Sequence, residues 1–184
     1  MAEFGSAAQA GYVFAIRIII FAIMPAWGMA NAAATLVGQN LGAQQPERAE
    51  KSVWRAAFLN MIFMGSLALL SFVFAESLIG FFTVDPVALE NGVACLKIVT
   101  LGYIFYGYGM VVNQAFNGAG DTRTPIIISF FGFWVFQIPL AYFISLKLDF
   151  GPLGVYSAIG LAESLMAIAA ILVFRRGKWK TVKI

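Results

Sequence analysis

The feature of this sequence that most invites chemistry is a carboxyl in the middle of an apolar stretch. Glu163 lies eight residues after Val155 and eleven before Phe174. At such a depth in a membrane an ionised carboxylate costs a few kcal/mol on insertion scales, so the group is kept neutral, paired or wet. A carboxyl that takes up and releases a proton can couple proton flow to the movement of another solute. One that stays protonated and hydrogen-bonded only holds helices together, and the residues alone leave both readings open. Polar stripes are the second feature. Asn31, Thr35 and Gln39 recur every four residues and so share one helix face. Tyr103, Tyr106, Met110, Asn113 and Asn117 repeat at intervals of three and four, and Gln137 adds an amide further on. Interhelical hydrogen bonds, worth roughly 1 kcal/mol or less each in a membrane, are one use for them. The other is a cavity wall, since tyrosine faces and adaptable methionines suit large, flat, apolar cations. Two stripes on separate helices, one of them aromatic, favour the cavity.

Several chemistries are excluded. There is no histidine, which removes imidazole metal sites, catalytic triads and histidine proton relays, and the single Cys95 rules out thiolate metal sites and an internal disulfide. No nucleophile and base pair is in view, so the chain is not expected to be an enzyme, and no cofactor or metal is expected. Gly118-Ala119-Gly120-Asp121 follows a helix rather than a strand and lacks the lysine and hydroxyl of a phosphate loop, so it reads as a turn.

The elements that must position these groups are membrane helices. Of 184 residues, 61% are hydrophobic and 11% charged, whereas soluble domains carry about 25% charged residues. The apolar residues gather into stretches long enough to cross a hydrocarbon core of about 30 Å, which takes roughly 20 helical residues. The fold class is therefore an all-α integral membrane bundle of five transmembrane helices, with the lipid bilayer as its first partner. They are expected at about Tyr12 to Gln39 (kinked near Pro25), Val53 to Phe82, Leu89 to Phe116, Ile126 to Leu146 and Val155 to Phe174. Pro46 suits a first helical position after the polar break Gly42 to Lys51. Met1-Ala2-Glu3-Phe4-Gly5-Ser6 has the composition of a cloning remnant, and residues 1–10 stay outside the expected lobe, which occupies 11–174. Residues 175–184 form a basic tail.

Basic residues set the orientation. Arg48, Lys51, Arg55, Arg123, Arg175, Arg176, Lys178, Lys180 and Lys183 fall on one side, and Arg17, Lys97 and Lys147 on the other. Nine against three places the C-terminus in the cytoplasm. That placement of basic charge reads as a topology anchor, not as a nucleic-acid surface. Five crossings then leave the N-terminus outside without a signal peptide, from which at least one preceding helix is expected.

Particular residue runs carry a family resemblance. Thr35-Leu36-Val37-Gly38-Gln39-Asn40-Leu41-Gly42-Ala43 followed by Pro46-Glu47-Arg48-Ala49 resembles the signature after the second helix of each lobe in the multidrug and toxic compound extrusion (MATE) family. Asn117-Gly118-Ala119-Gly120-Asp121-Thr122-Arg123-Thr124-Pro125 is similar to the signature between the fourth and fifth helices of a lobe, and Arg176-Gly177-Lys178-Trp179-Lys180 to the family's C-terminal end. The resemblance implies a twelve-helix, two-lobe exporter of a bacterial inner membrane, driven by Na+ or H+ and acting on cationic amphiphilic small molecules. This chain would supply helices eight to twelve, its partners being the N-terminal lobe and the first helix of its own lobe. In the family's sodium-coupled branch a carboxylate precedes the Gly-x-x-Asp-Thr turn by about four turns. Here that place holds Tyr106, and no acid lies between Lys97 and Asp121. Coupling would then fall to an acid in the other lobe or to Glu163. The rival readings are a lipid-linked oligosaccharide flippase of the same superfamily, which should carry more cationic residues in its cavity, and a non-transporting scaffold or truncated product.

Overall fold

The computed structural model describes residues 2–181; Lys183, counted above with the basic tail, lies outside them. The main helices are α1 (Ser6–Gly42), α2 (Pro46–Val73), α3 (Ala75–Gly80), α4 (Pro86–Thr100), α5 (Tyr103–Gly118), α6 (Arg123–Lys147) and α7 (Pro152–Arg175). Helices α1, α2, α6 and α7 are each long and apolar enough to cross a membrane, and α4 with α5 makes a fifth, bent crossing. Among the described residues there is no strand.

Lipid as solvent explains which residues point in and which out. The buried face of α1 is Ala8, Gly11, Ala15, Ile19, Ala26, Ala30, Ala33 and Val37, a stripe of mostly small residues at helical spacing. Large apolar side chains such as Phe21, Leu69, Phe130, Trp134 and Leu172 lie outside. Lipid tails are as apolar as leucine, so helices associate through close approach of small residues rather than by hiding large ones. Gly11 meets the backbone of Ala88 and Gly92, Gly107 meets Met64, Gly109 meets Ala167 and Gly118 meets Ala34. Helix α5 thus occupies the centre, packed on α1, α2 and α7, while α6 leans on α7 and leaves its other face to lipid.

Three boundaries differ from the sequence expectation. Helix α1 begins at Ser6 rather than near Tyr12, and Ala8 and Gly11 are already buried, so residues 6–10 belong to the bundle. Proline 25 lies inside α1 without ending it. The second helix starts at Pro46 as expected but stops at Val73, and after a break at Phe74 a short α3 packs against α4. The third crossing breaks at Leu101–Gly102 with a bend of 56°. The Thr100 hydroxyl donates to the carbonyls of Leu96 (2.7 Å) and Lys97 (3.1 Å), and the amides of Leu101 and Gly102 tighten to the carbonyls of Ile98 and Val99. A hydroxyl that competes for the ladder bends a helix, and Gly102 lets the Gly160 backbone approach at the bend. In α6 the stretches Phe131–Gln137 and Phe143–Lys147 are wide π turns. Pro139 has no amide to donate, and the Ile138 amide reaches back five residues to the Phe133 carbonyl.

One polar pair inside the bundle escaped sequence inspection. Asn60 is fully buried on α2, and its Nδ2 donates to the Gly107 carbonyl of α5 at 2.7 Å. Asn60→Ala is expected to lower the stability of the complete protein by about 1 kcal/mol, the scale of an interhelical bond in a membrane. Unfolding by titration with a denaturing detergent measures it, and an unshifted midpoint would show the bond to be energetically idle.

A latch ties the tail to the start of α2. Trp179 is 1% exposed, stacks on Phe174 with ring centres 4.5 Å apart and donates its indole N–H to the Phe174 carbonyl. Phe174 in turn meets Trp54 and Phe116 edge-on. Lys180 pairs with Glu47 at 2.9 Å and Glu50 at 2.5 Å. Its hydrogen bonds to Glu47 and Glu50 hold the ammonium above the ordinary lysine range. A group raised in this way keeps its contribution at neutral pH and loses it only as the pH climbs through the raised value. The α1–α2 turn and the tail therefore share one end of the bundle, as the charge grouping expected.

Candidate functional site

A polar cavity of about 240 Å³ opens between α1, α5, α6 and α7. Each wall has a local reason. Helix α5 presents Tyr106, Met110 and Asn113 at intervals of four and three, with Gln114 beside them. Gly109, pressed against Ala167, brings α7 close enough for Glu163 and Met166 to enter the same space. Trp27 arrives from α1, and Ser129 and Phe133 from α6. The wide turns of α6 begin within this wall, at Phe131.

Amides bridge the helices beside the cavity. Gln114 Nε2 donates to Asn31 Oδ1 at 2.7 Å, and Asn117 Nδ2 donates to Gln114 Oε1 at 2.6 Å, so the two stripes are joined through Gln114. Thr35 donates its hydroxyl to the Asn31 backbone carbonyl at 3.1 Å. The side-chain oxygen of Asn113 is buried and, among the described residues, accepts no hydrogen bond. Glu163 and Asn113 thus line one half-open space, with Tyr106 beside them. That set suits a proton or a hard cation, which prefers oxygen ligands.

Of the residues singled out in the sequence, the structure brings Tyr106, Asn113 and Glu163 together in this cavity. Asn31 is exposed and linked to it through Gln114, while Gln39 is exposed toward the far end of α1. Asn117 lines a neighbouring cleft of about 440 Å³ that shares Ser129 and Phe133 with the first. Tyr103 is 2% exposed, its hydroxyl has no partner among the described residues, and it lines none of these spaces. Gln137 borders a separate cavity of about 330 Å³ with Tyr12, Tyr142 and Ser145, and its side-chain oxygen is also unpartnered among the described residues. Sequence inspection missed Trp27, Gln114, Ser129 and Met166. Gln114 was within reach as a third amide between Asn113 and Asn117, but Ser129 and Trp27 carry no local sign of the faces they present.

The glycine-rich turn is structural, as expected. Gly120 has φ +81°, a conformation that favours glycine, and Asp121 caps α6 by accepting from the Thr124 amide at 3.1 Å and the Thr124 hydroxyl at 2.6 Å. Lys97 rests its ammonium 5.5 Å from the Phe72 ring.

Five crossings, one of them broken, beside a half-open polar cavity describe a multi-pass membrane bundle of the kind that forms a transporter lobe. The MatE family model matches residues 1–143, and the chain belongs to this family. A probable multidrug resistance protein NorM of Thermotoga maritima is 30% identical over 178 residues, covering 96% of this chain and 38% of that protein. A protein of the same name from Rhodopseudomonas palustris is 30% identical over 172 residues, with 91% and 36% covered. The fold is similar to the MATE transporter ClbM in complex with Rb+, with TM-score 0.87 at 22% identity over 95% of this chain and 41% of that one. It also resembles a MATE family transporter in its outward-facing conformation, with TM-score 0.86 at 23% identity over 94% and 39% of the two chains. An inward-facing conformation gives TM-score 0.82 at 22% identity over 92% and 40%. The solved neighbours are named as transporters, and the chain spans about two fifths of the length of these relatives.

Proposed function

We propose that this chain forms helices eight to twelve of a twelve-helix, two-lobe secondary exporter of cationic amphiphilic drugs, with its C-terminus in the cytoplasm of a bacterial cell. The observation that carries the reading is the cavity in which Tyr106, Asn113 and Glu163 meet Trp27 from another helix. Aromatic faces and a carboxyl lining one cavity suit a flat organic cation in exchange for a proton or Na+. Glu163 is the coupling carboxyl of this lobe in that reading, because Tyr106 stands where the sodium-coupled pattern has an acid. The names of the relatives support drug export. Similarity of the one fold to both outward- and inward-facing structures supports a lobe that moves largely as a body while access alternates. The basic α1–α2 turn and tail, held at one end by Lys180 and Glu47, support a cytoplasmic C-terminus. The flippase alternative is disfavoured because no lysine or arginine lines the cavity.

The test uses the complete protein in cells that lack other efflux pumps, with the buried Cys95 replaced by serine. Expression is expected to lower ethidium accumulation. A water-soluble maleimide is expected to label Asn31→Cys and Asn113→Cys but not Leu69→Cys or Leu172→Cys on the lipid face. Unlabelled cysteines at 31 and 113, with ethidium unchanged, would mean packed polar groups and no export pathway.

A further inference from the structure

We infer that the groove between α2, α5 and α7 binds an anionic phospholipid, one acyl chain in its slot and the phosphate at Arg175. At about 640 Å³ the groove is more than twice the volume of the polar cavity and shares no lining residue with it. Its walls are Trp54 and Met61 of α2, Ile104, Phe105 and Tyr108 of α5, and Ile171 of α7. Glu50 and Arg175 stand together at one end, and the other end reaches the bend where α5 begins.

Length matches a single leaflet. Glu50, Trp54 and Met61 lie on one face of α2, eleven residues from first to last. At 1.5 Å per residue that is about 16 Å, close to half of a hydrocarbon core of about 30 Å. An acyl chain of one leaflet therefore runs the slot from its interfacial end to the bend, where Ile104 and Phe105 are 46% and 48% exposed.

Charge selects the headgroup. A free Glu50 would repel an anion, but its charge is turned away and partly offset: Oε1 accepts from the Trp54 indole at 3.1 Å and Oε2 is paired at 2.5 Å with Lys180, which Glu47 shares. Arg175 is exposed and, among the described residues, has neither an ion-pair nor a hydrogen-bond partner. Arg176 and Lys178 follow it on the same helix end. The guanidinium fork matches a phosphate, and Trp54 and Tyr108, with ring centres 5.9 Å apart, line the same groove as Arg175, rings of the kind that favour the headgroup level. The inference needs only that the bundle sits in lipid, not that it exports drugs.

Thermal unfolding of the complete protein in detergent tests it, with dioleoyl phosphatidylglycerol added in one arm and the phosphatidylcholine of the same chains in the other. Phosphatidylglycerol is expected to raise the unfolding temperature by several degrees more. Arg175→Gln should abolish that difference while leaving the lipid-free unfolding temperature unchanged, and Ile171→Trp, which fills the slot, should abolish it too. A second readout guards against a variant that folds poorly. Phosphatidylglycerol with brominated chains should quench Trp54, read as the parent fluorescence less that of Trp54→Phe. Equal stabilisation by the two lipids, a full shift in Arg175→Gln, or a Trp54 that brominated lipid fails to reach because another part of the protein covers the slot would each overturn the proposal.

Discussion

Glu163→Gln in the complete protein should cut ethidium efflux at least about tenfold, the rate equivalent of ~1.4 kcal/mol, with membrane abundance unchanged. The amide keeps the size of the side chain and its capacity to hydrogen-bond inside the cavity beside Tyr106 and Asn113, but it neither ionises nor exchanges a proton. A role confined to packing predicts the opposite pattern, because a well-accommodated amide would leave transport intact. Glu163→Asp separates the two further: it retains an ionisable group one methylene shorter and should keep part of the efflux. Undiminished transport by the glutamine variant would take Glu163 out of the coupling role and move that role to an acid outside this chain. Loss of the protein from the membrane would identify a carboxyl that the bundle needs in order to assemble.

The largest effect on stability is expected at Gly118. A Cβ there would run into the backbone of Ala34, where α1 and α5 touch, and backbone cannot rotate aside as a side chain can. Gly118→Val should therefore force the helices apart and lower stability by about 3 kcal/mol, at the upper end of overpacking costs. The same crossing carries the Gln114–Asn31 bridge, so the substitution should also reduce labelling contrast between the cavity and the lipid face. Gly65→Ala is the matched control. It lies mid-helix on α2 with only the Ile104 side chain nearby, at 3.6 Å, and alanine favours helix over glycine by up to about 1 kcal/mol. Detergent-titration unfolding of both variants gives the comparison. Similar midpoints for the two would mean that α1 and α5 are not in the close contact described.

Which parts of this architecture were readable in advance follows from how local each cause is. The start of α2 at Pro46 and the turn at Gly120-Asp121 were expected, since a proline at a first helical position and a glycine at positive φ act within a few residues. Glu163, Tyr106 and Asn113 stood out as polar groups in apolar runs, and they do share a cavity. Gln137 stood out equally but belongs to another space, and Tyr103 is packed away. Periodicity reports a face of a helix, not the neighbour that covers it. The break at Leu101–Gly102 was hidden for a similar reason, as Thr100-Leu101-Gly102 reads as continuous helix until its hydroxyl turns inward and Gly160 of α7 closes on it.

From the order of residues alone came the membrane, the crossings, the grouping of basic charge and the family. All of these rest on a solvent that admits only internally hydrogen-bonded backbone, and so writes each helix into its own stretch of chain. Tertiary structure decided which polar residues share a cavity, that Gln114 links the two stripes, that Asn60 is buried against α5 and that an apolar groove runs beside Arg175. Those features depend on glycine and alanine surfaces far apart in sequence meeting at van der Waals distance, a fit of shapes that no local pattern encodes.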